Sequence, residues 1–330
     1  MKLKDVARLK SGGKTNRFPE AGVLAVMIII YAFFAFTSDK FLGLSNQLNI
    51  ARQVTEVTIA AIGMTFVIIT GEIDLSPGAV YGMSAAIAAT ILKAGGAPIV
   101  AFGAAMGASI LIGVISGLFV TEVRVPAFII TLCIQMMLRG LIYVVTGGSS
   151  ISRFPDTDNW FFKMGARIGS INFPVQIFMM LILVAIFAII LKRTRFGFKI
   201  YTIGGNIHAA EVCGINTKRT KVTAFALSSA LAGFAGLISL TYLGSLYPTA
   251  GSGKEMDIVA ACILGGTNLA GGSGTILGTF IGAITIGIIR NGLVLLGVDS
   301  YILEVMVGAV ILAGVCVDTV LKRRRASRTS

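Results

Sequence analysis

Long apolar runs, separated by short polar turns, dominate this chain. They fall at about 20–37, 54–70, 77–92, 97–120, 127–146, 174–191, 222–243, 257–266, 275–296 and 301–320. Most approach the roughly 20 residues that cross a bilayer as a helix. A spanning strand needs only about 10 residues of alternating polarity, and these runs are longer and do not alternate. Backbone groups in lipid must be satisfied within a helix or a closed barrel. The pattern therefore predicts an all-α, polytopic membrane protein with about ten transmembrane helices. Residues 38–53 carry Phe41, Leu44, Leu48 and Ile50 near helical spacing, which predicts a separate amphipathic helix at the interface. The run at 257–266 is short and is interrupted by GGTNLAGGSG at 265–274.

Composition agrees with the pattern. The chain is 55% hydrophobic and 13% charged, against about 25% charged in soluble domains. A net charge of +13 could suggest nucleic acid, but in a membrane protein excess Lys and Arg chiefly set topology, and no nucleic-acid partner is expected. With ten crossings, 19 basic residues fall on the side of the N-terminus and seven on the other. This predicts N-in/C-in, with basic cytosolic tails at 1–19 and 321–330 and one transmembrane domain at 20–320. It puts the polar loop 192–221 in the cytosol and the Trp160 loop, 147–173, outside. The first apolar run follows about 19 polar residues without a clear A-x-A site, so it reads as an uncleaved signal-anchor. Ten helices, with the sixth opening the second half, would suit an inverted 5+5 repeat. The visible internal echo, GEIDLSPGAVYG (71–82) against GGTNLAGGSGTILG (265–278), does not fall at equivalent positions of such a repeat. The GxxxG pairs Gly103/Gly107, Gly113/Gly117 and Gly278/Gly282 read as close helix contacts.

The chain lacks an engine of its own. GGKT at 12–15 has Arg8 where a phosphate-binding loop needs its first glycine, and GSGKE has no Ser or Thr after the lysine. His208 is the only histidine, and the four cysteines are scattered without CxxC, so no metal site or disulfide framework is expected. Proton or sodium coupling needs buried carboxylates. The candidates are Glu72 and Asp74 at the break after the second run, and Glu304 in the last. Asp74 can equally cap the next helix, with Pro77 in its first turn. This shortage of acids argues against ion-driven transport. Gln135, Arg139, Asn268, Arg290 and Asn291 are polar groups placed to line a water-filled path for a neutral, hydroxyl-rich solute; the same groups can instead hydrogen-bond between helices.

The loop at 192–221 is basic at both ends, with room for a short helix between. Gly204, Gly205 and Asn206 can start it, with Asn206 as N-cap. Ile207, His208, Ala209, Ala210, Glu211, Val212 and Cys213 make about two turns, and Gly214 can stop them in the left-handed conformation. The segment is either a solvated topogenic loop or a docking helix for a cytosolic motor.

These residues also resemble a known family. Gly71, Glu72, Ile73, Asp74, Leu75 and Ser76 are similar to the GGIDLS signature of ribose-type permeases of ATP-binding-cassette importers, with Glu72 in place of the usual second glycine. PAFIITL (126–132), LRG (138–140), TGG (146–148), the stretch 194–216, the stretch 247–279 and NGLVLLGV (291–298) are similar to the same family, so the resemblance covers roughly 40–318. It implies a permease subunit of the bacterial inner membrane that binds no cofactor itself. ATP and magnesium would sit on a cytosolic ATPase. The other implied partners are a periplasmic sugar-binding protein, a second permease copy and the lipid bilayer. It implies a coupling helix at 206–214. Substrates of the family include pentoses, hexoses, deoxyhexoses and the furanosyl signal autoinducer-2. A self-contained secondary transporter or channel, or a membrane scaffold or receptor without translocation, are the alternatives.

Overall fold

The computed structural model describes residues 20–123, 125–170, 172–299, 302, 304–309 and 312. Both predicted tails, and most of the helix predicted at 301–320, lie outside them. The helices are α1 (Ala21–Thr37), α2 (Leu44–Ile69), α3 (Pro77–Lys93), α4 (Pro98–Leu118), α5 (Ala127–Thr146), α6 (Trp160–Lys163), α7 (Val175–Arg193), α8 (Arg195–Gly205), α9 (Ile207–Val212), α10 (Thr217–Leu243), α11 (Lys254–Leu264) and α12 (Ile276–Leu295). A π-helical turn, Phe119–Val123, extends α4. Among the described residues, six helices are long and apolar enough to cross a membrane: α2, α4 with its π turn, α5, α7, α10 and α12. The chain is thus an all-α membrane bundle. The sheet is confined to two short pairs: β1 (Ile151–Ser152) with β4 (Ser245–Leu246), and β2 (Arg167–Ile168) with β3 (Phe173–Pro174), both antiparallel.

The expected interfacial helix at 38–53 does not exist as a separate element. Residues 44–53 are instead the first turns of α2, a continuous helix of 26 residues. No Gly or Pro interrupts 44–62, and the polar side chains there find partners inside the bundle. Gln47 accepts from the Tyr31 hydroxyl at 3.1 Å, and Asn46 and Asn291 exchange amide hydrogen bonds at 2.9 and 3.0 Å.

At the centre, α2 and α10 run antiparallel: Arg52 stacks over Tyr242, and Gly63 packs on Ser228. α3 and α4 cover α10, while α7, α11 and α12 cover α2. α4, α5 and α7 turn long apolar rows outward, including Leu111, Met136, Val144, Ile182 and Ile189, as helices facing lipid do. The ends of the bundle are distinct. Glu20, residues 70–72, the segment 194–221 and residues 265–275 gather at one; the loops at 37–43, 147–173 and 243–247 gather at the other.

Two segments fold back into the bundle instead of crossing it. Residues 70–76 leave α2 and re-enter, so Asp74 meets Ser228 beside Gly63. α3 therefore starts part-way along the bundle. Residues 244–253 re-enter from the opposite end of α10, and α11 starts at Lys254, within 2.8 Å of Glu56. The two half-helix starts touch: a Cβ on Gly78 would strike the Gly251 carbonyl and the Glu255 carboxylate. The units α2–α3 and α10–α11 follow matching courses in opposite directions, the relation of an inverted repeat. The structural counterpart of 70–76 is accordingly 244–253, whereas the sequence echo matched 71–82 with 265–278.

Close backbone approach decides which glycines matter. Gly236 packs against the Tyr81 carbonyl, and Gly113 and Gly117 against the α10 backbone, whereas Gly103 and Gly107 meet nothing within the chain. Overpacking typically costs about 1–3 kcal/mol. Gly236→Ala should therefore lower the unfolding midpoint in detergent by several degrees, with Gly103→Ala leaving it unchanged. Size-exclusion thermal melts of the two variants check this.

Candidate functional site

The signature segment and the glycine-rich break meet at one end of the bundle. α2 stops where Thr70 leads into Gly71, whose φ of +85° favours glycine. The freed Ile69 carbonyl accepts from Gly272 N–H at 2.9 Å, and Gly271 closes on the Gly71 backbone. Gly204, in the last turn of α8, abuts both Ile69 and Gly272, while the Tyr201 hydroxyl donates to the Gly274 carbonyl at 2.6 Å. Three segments far apart in sequence thus share one backbone junction. Asn268, expected on a path, is exposed here and shapes the turn, its Oδ1 accepting from Ala270 N–H.

The signature residues have distinct local roles. Glu72 accepts from Lys221 at 2.5 Å in a half-buried ion pair. Ile73 is half-buried, and Leu75 N–H donates to Thr131 Oγ1 of α5 at 2.9 Å. Asp74 is fully buried but does not cap α3: Ser76 holds the cap position, and Asp74 Oδ1 accepts from both Ser76 N–H (2.9 Å) and Ser76 Oγ (2.7 Å). Ser228 Oγ donates to Asp74 Oδ2 at 3.3 Å. Hydrogen bonds thus compensate this carboxylate where no cation among the described residues reaches it. Pro77 opens α3.

In the basic loop 192–221, Gly204 and Gly205 end a helix instead of starting one. The sequence reading missed α8, although its amphipathic spacing was the available signal: Gly197, Ile200 and Ile203 lie buried along one face. Its anchor is Phe196, stacked on Phe66 with ring centroids 5.7 Å apart. Asn206 separates the two helices and caps α9, its Oδ1 accepting from Ala209 N–H at 3.0 Å. Ala210 is buried and Ile207 half-buried; His208, Ala209, Glu211, Val212, Cys213 and Gly214 are exposed, with Gly214 at φ +76°. Val212 is 89% exposed, a large apolar side chain with no cover in the chain.

A second polar cluster surrounds the start of α11. Lys254 donates to Glu56 of α2 at 2.8 Å, and the Tyr81 hydroxyl donates to the same oxygen at 2.7 Å. Glu255 accepts from Gln135 at 2.9 Å and lies 3.8 Å from Arg139, whose other nitrogen donates to the Ala250 carbonyl at 2.6 Å. Asp257 accepts from Arg290 at 2.8 Å, and Arg290 also holds Glu304 at 2.8 Å. Gln135 and Arg139 therefore act on one face, as their spacing implied, but they pin α5 to α11. Asn291 is committed to Asn46. Of the five expected path residues, Arg290 alone borders the cavity of about 380 Å³ that opens beside this cluster.

The buried acids exceed what the sequence suggested. Glu56, Glu255 and Asp257 join Asp74 in the interior, so a shortage of acids is no argument about the energy source. Their signal was present: charges inside or at the edge of apolar runs, each with a cation elsewhere to meet. These three are paired to Lys254, Arg139 and Arg290.

Residues 46–315 match the family described as branched-chain amino acid transport system / permease component. The chain belongs to this permease family. It is 40% identical over 298 residues to the ribose import permease protein RbsC of Escherichia coli strain K12, covering 89% of this chain and 92% of that one. It is 40% identical over 300 residues to RbsC of Bacillus subtilis strain 168, covering 91% of each. It is 32% identical to the galactose/methyl galactoside import permease protein MglC of Escherichia coli K12, covering 93% and 96%. No solved structure matches.

In the permease, then, a half-helix with three charged residues ties α2, α5 and α12 together. Removing one partner of a buried pair typically costs about 3–5 kcal/mol, because the other charge stays buried and unpaired. Lys254→Met should sharply lower folded yield in detergent, and adding Glu56→Gln should restore most of it. Monodispersity and melting temperature of the single and double variants measure this. The half-buried Glu72–Lys221 pair should show a coupling of about 0.5–3 kcal/mol in a double-mutant cycle on the same melts.

Proposed function

We propose that this chain is the translocating subunit of an ATP-driven sugar importer in the bacterial inner membrane. A separate cytosolic ATPase supplies the energy and holds the nucleotide and magnesium, a periplasmic binding protein delivers the solute, and a second permease copy completes the path. The N-terminus lies in the cytosol, and the basic end of the bundle faces inward. Sugars are favoured because relatives matching nearly the full chain are named for ribose, galactose and xylose transport.

The observation that carries the reading is the junction of Gly204, Ile69 and Gly272. Through it, α8 and α9 press on both the signature break and the 265–275 break. A force on α9 from the ATPase reaches the re-entrant segments through rigid backbone contact, not through a flexible loop. The residues Asn206 to Gly214 present the docking face, with Val212 as its apolar anchor. On the opposite side, β1·β4 joins the two loops, 150–173 and 244–256, that receive the binding protein.

Burying a charge without a partner is costly. Val212→Asp should thus weaken ATPase binding by more than about tenfold and reduce sugar-stimulated hydrolysis and uptake together, at unchanged permease yield. The assay uses proteoliposomes holding permease, ATPase and binding protein. If both activities survive complete removal of 206–214, the coupling role is wrong.

A further inference from the structure

The structure assigns the cavity beside α11 as a subsite for a neutral monosaccharide inside a single permease subunit. The assignment rests on the importer reading above and adds the place, the ligand class and the residues. The cavity is about 380 Å³ and lies among α2, α3, α10, α11 and α12. That volume falls near the lower end of the range for small-molecule pockets, which suits one sugar ring better than a chain of them.

Its charge pattern selects against ions. Glu56 is held by Lys254, and Asp257 by Arg290. Arg290 also carries Glu304; with Arg52 in the wall, three cations meet three carboxylates, so little unbalanced charge remains to attract a charged solute. Paired charges still offer carboxylate acceptors and cationic donors side by side, the mixture that sugar hydroxyls use. Burying such groups costs least when each keeps a hydrogen-bond partner, and an incoming hydroxyl can replace a water there. Tyr81 adds an aromatic ring with the Lys254 ammonium 5.0 Å from its centroid. The Nε of Arg52, also in the wall, is a buried donor with no hydrogen-bond partner.

Access follows from Arg52. The same side chain borders a wider cavity of about 670 Å³, lined by Lys40, Asn49, Arg167 and Asn172, at the end of the bundle where the long outer loops gather. Arg52 stacks over Tyr242 at 4.2 Å between the two spaces. A sugar released at that end meets Arg52 before it reaches Glu56 and Tyr81.

The test uses the full complex with its ATPase and binding protein in proteoliposomes. Ser239→Cys places a thiol in the cavity wall, with Cys133, Cys213, Cys262 and Cys316 replaced by serine. A membrane-impermeant methanethiosulfonate reagent is added from the binding-protein side, with D-ribose, D-galactose, D-xylose or the charged control gluconate. The thiol should be modified, and a transported sugar at about ten times its dissociation constant should slow the reaction about tenfold, while gluconate has no effect. The double variant Glu56→Gln with Lys254→Gln, which leaves no unpaired charge, should keep the thiol reactive and lose the protection. No modification, modification indifferent to every sugar that the complex takes up, or undiminished protection in the double variant each overturns the subsite. Absence of ATP-dependent uptake of every sugar in the panel, measured in parallel on the unmodified complex, overturns the importer reading instead.

Discussion

Ionised side chains in an apolar bundle stay only where another group compensates them, and this constraint organises the middle of the permease. Lys254, Glu255 and Asp257 lie within one turn of α11, yet they pair with α2, α5 and α12 respectively. An isolated charge at the bilayer centre costs several kcal/mol. Each helix is therefore held in register by the penalty for leaving its partner uncovered, more than by the attraction itself. Lipid offers little hydrophobic drive for helix association, so such pairs and close glycine contacts take the place that a hydrophobic core has in water.

The glycine contacts set the other half of the design. Where Ile69, Gly204 and Gly272 meet, no side chain separates the three backbones. A junction of that kind transmits displacement with little compliance, because packed backbones have few alternative arrangements. It links α8 to both breaks, and the breaks lead directly into α3 and α12. The charged start of α11 and the start of α3 then touch at Gly78. Two backbone contacts thus connect α8 to the elements around the polar cavity.

Much of this was legible in the chain. Apolar runs longer than any strand requires predicted a helical membrane protein, and Ala127–Thr146 matches its run to the residue. The linked motifs around Gly71–Ser76 and 247–279 pointed to the permease family. Less legible was anything whose meaning depended on a distant partner. Residues 38–53 read as a separate interfacial helix from the spacing of Phe41, Leu44, Leu48 and Ile50, whereas Asn291, Tyr31 and Tyr242 meet Asn46, Gln47 and Arg52 inside the bundle. Asp74 read as a cap, but Ser228, more than 150 residues away, reaches its carboxylate. Glu56 sits inside the apolar run 54–70, and its partner Lys254 is 198 residues away.

The sequence by itself determined the class, most of the long apolar helices and the basic segment between α7 and α10, because hydrophobic length and local charge are properties of neighbouring residues. Only the tertiary structure decided that the two re-entrant units oppose each other and that the cavity wall is nearly charge-balanced. It alone also decided that Glu72 answers Lys221. Those outcomes depend on which side chains meet after the helices pack, and the pairing of buried charges is a long-range choice that no local pattern encodes.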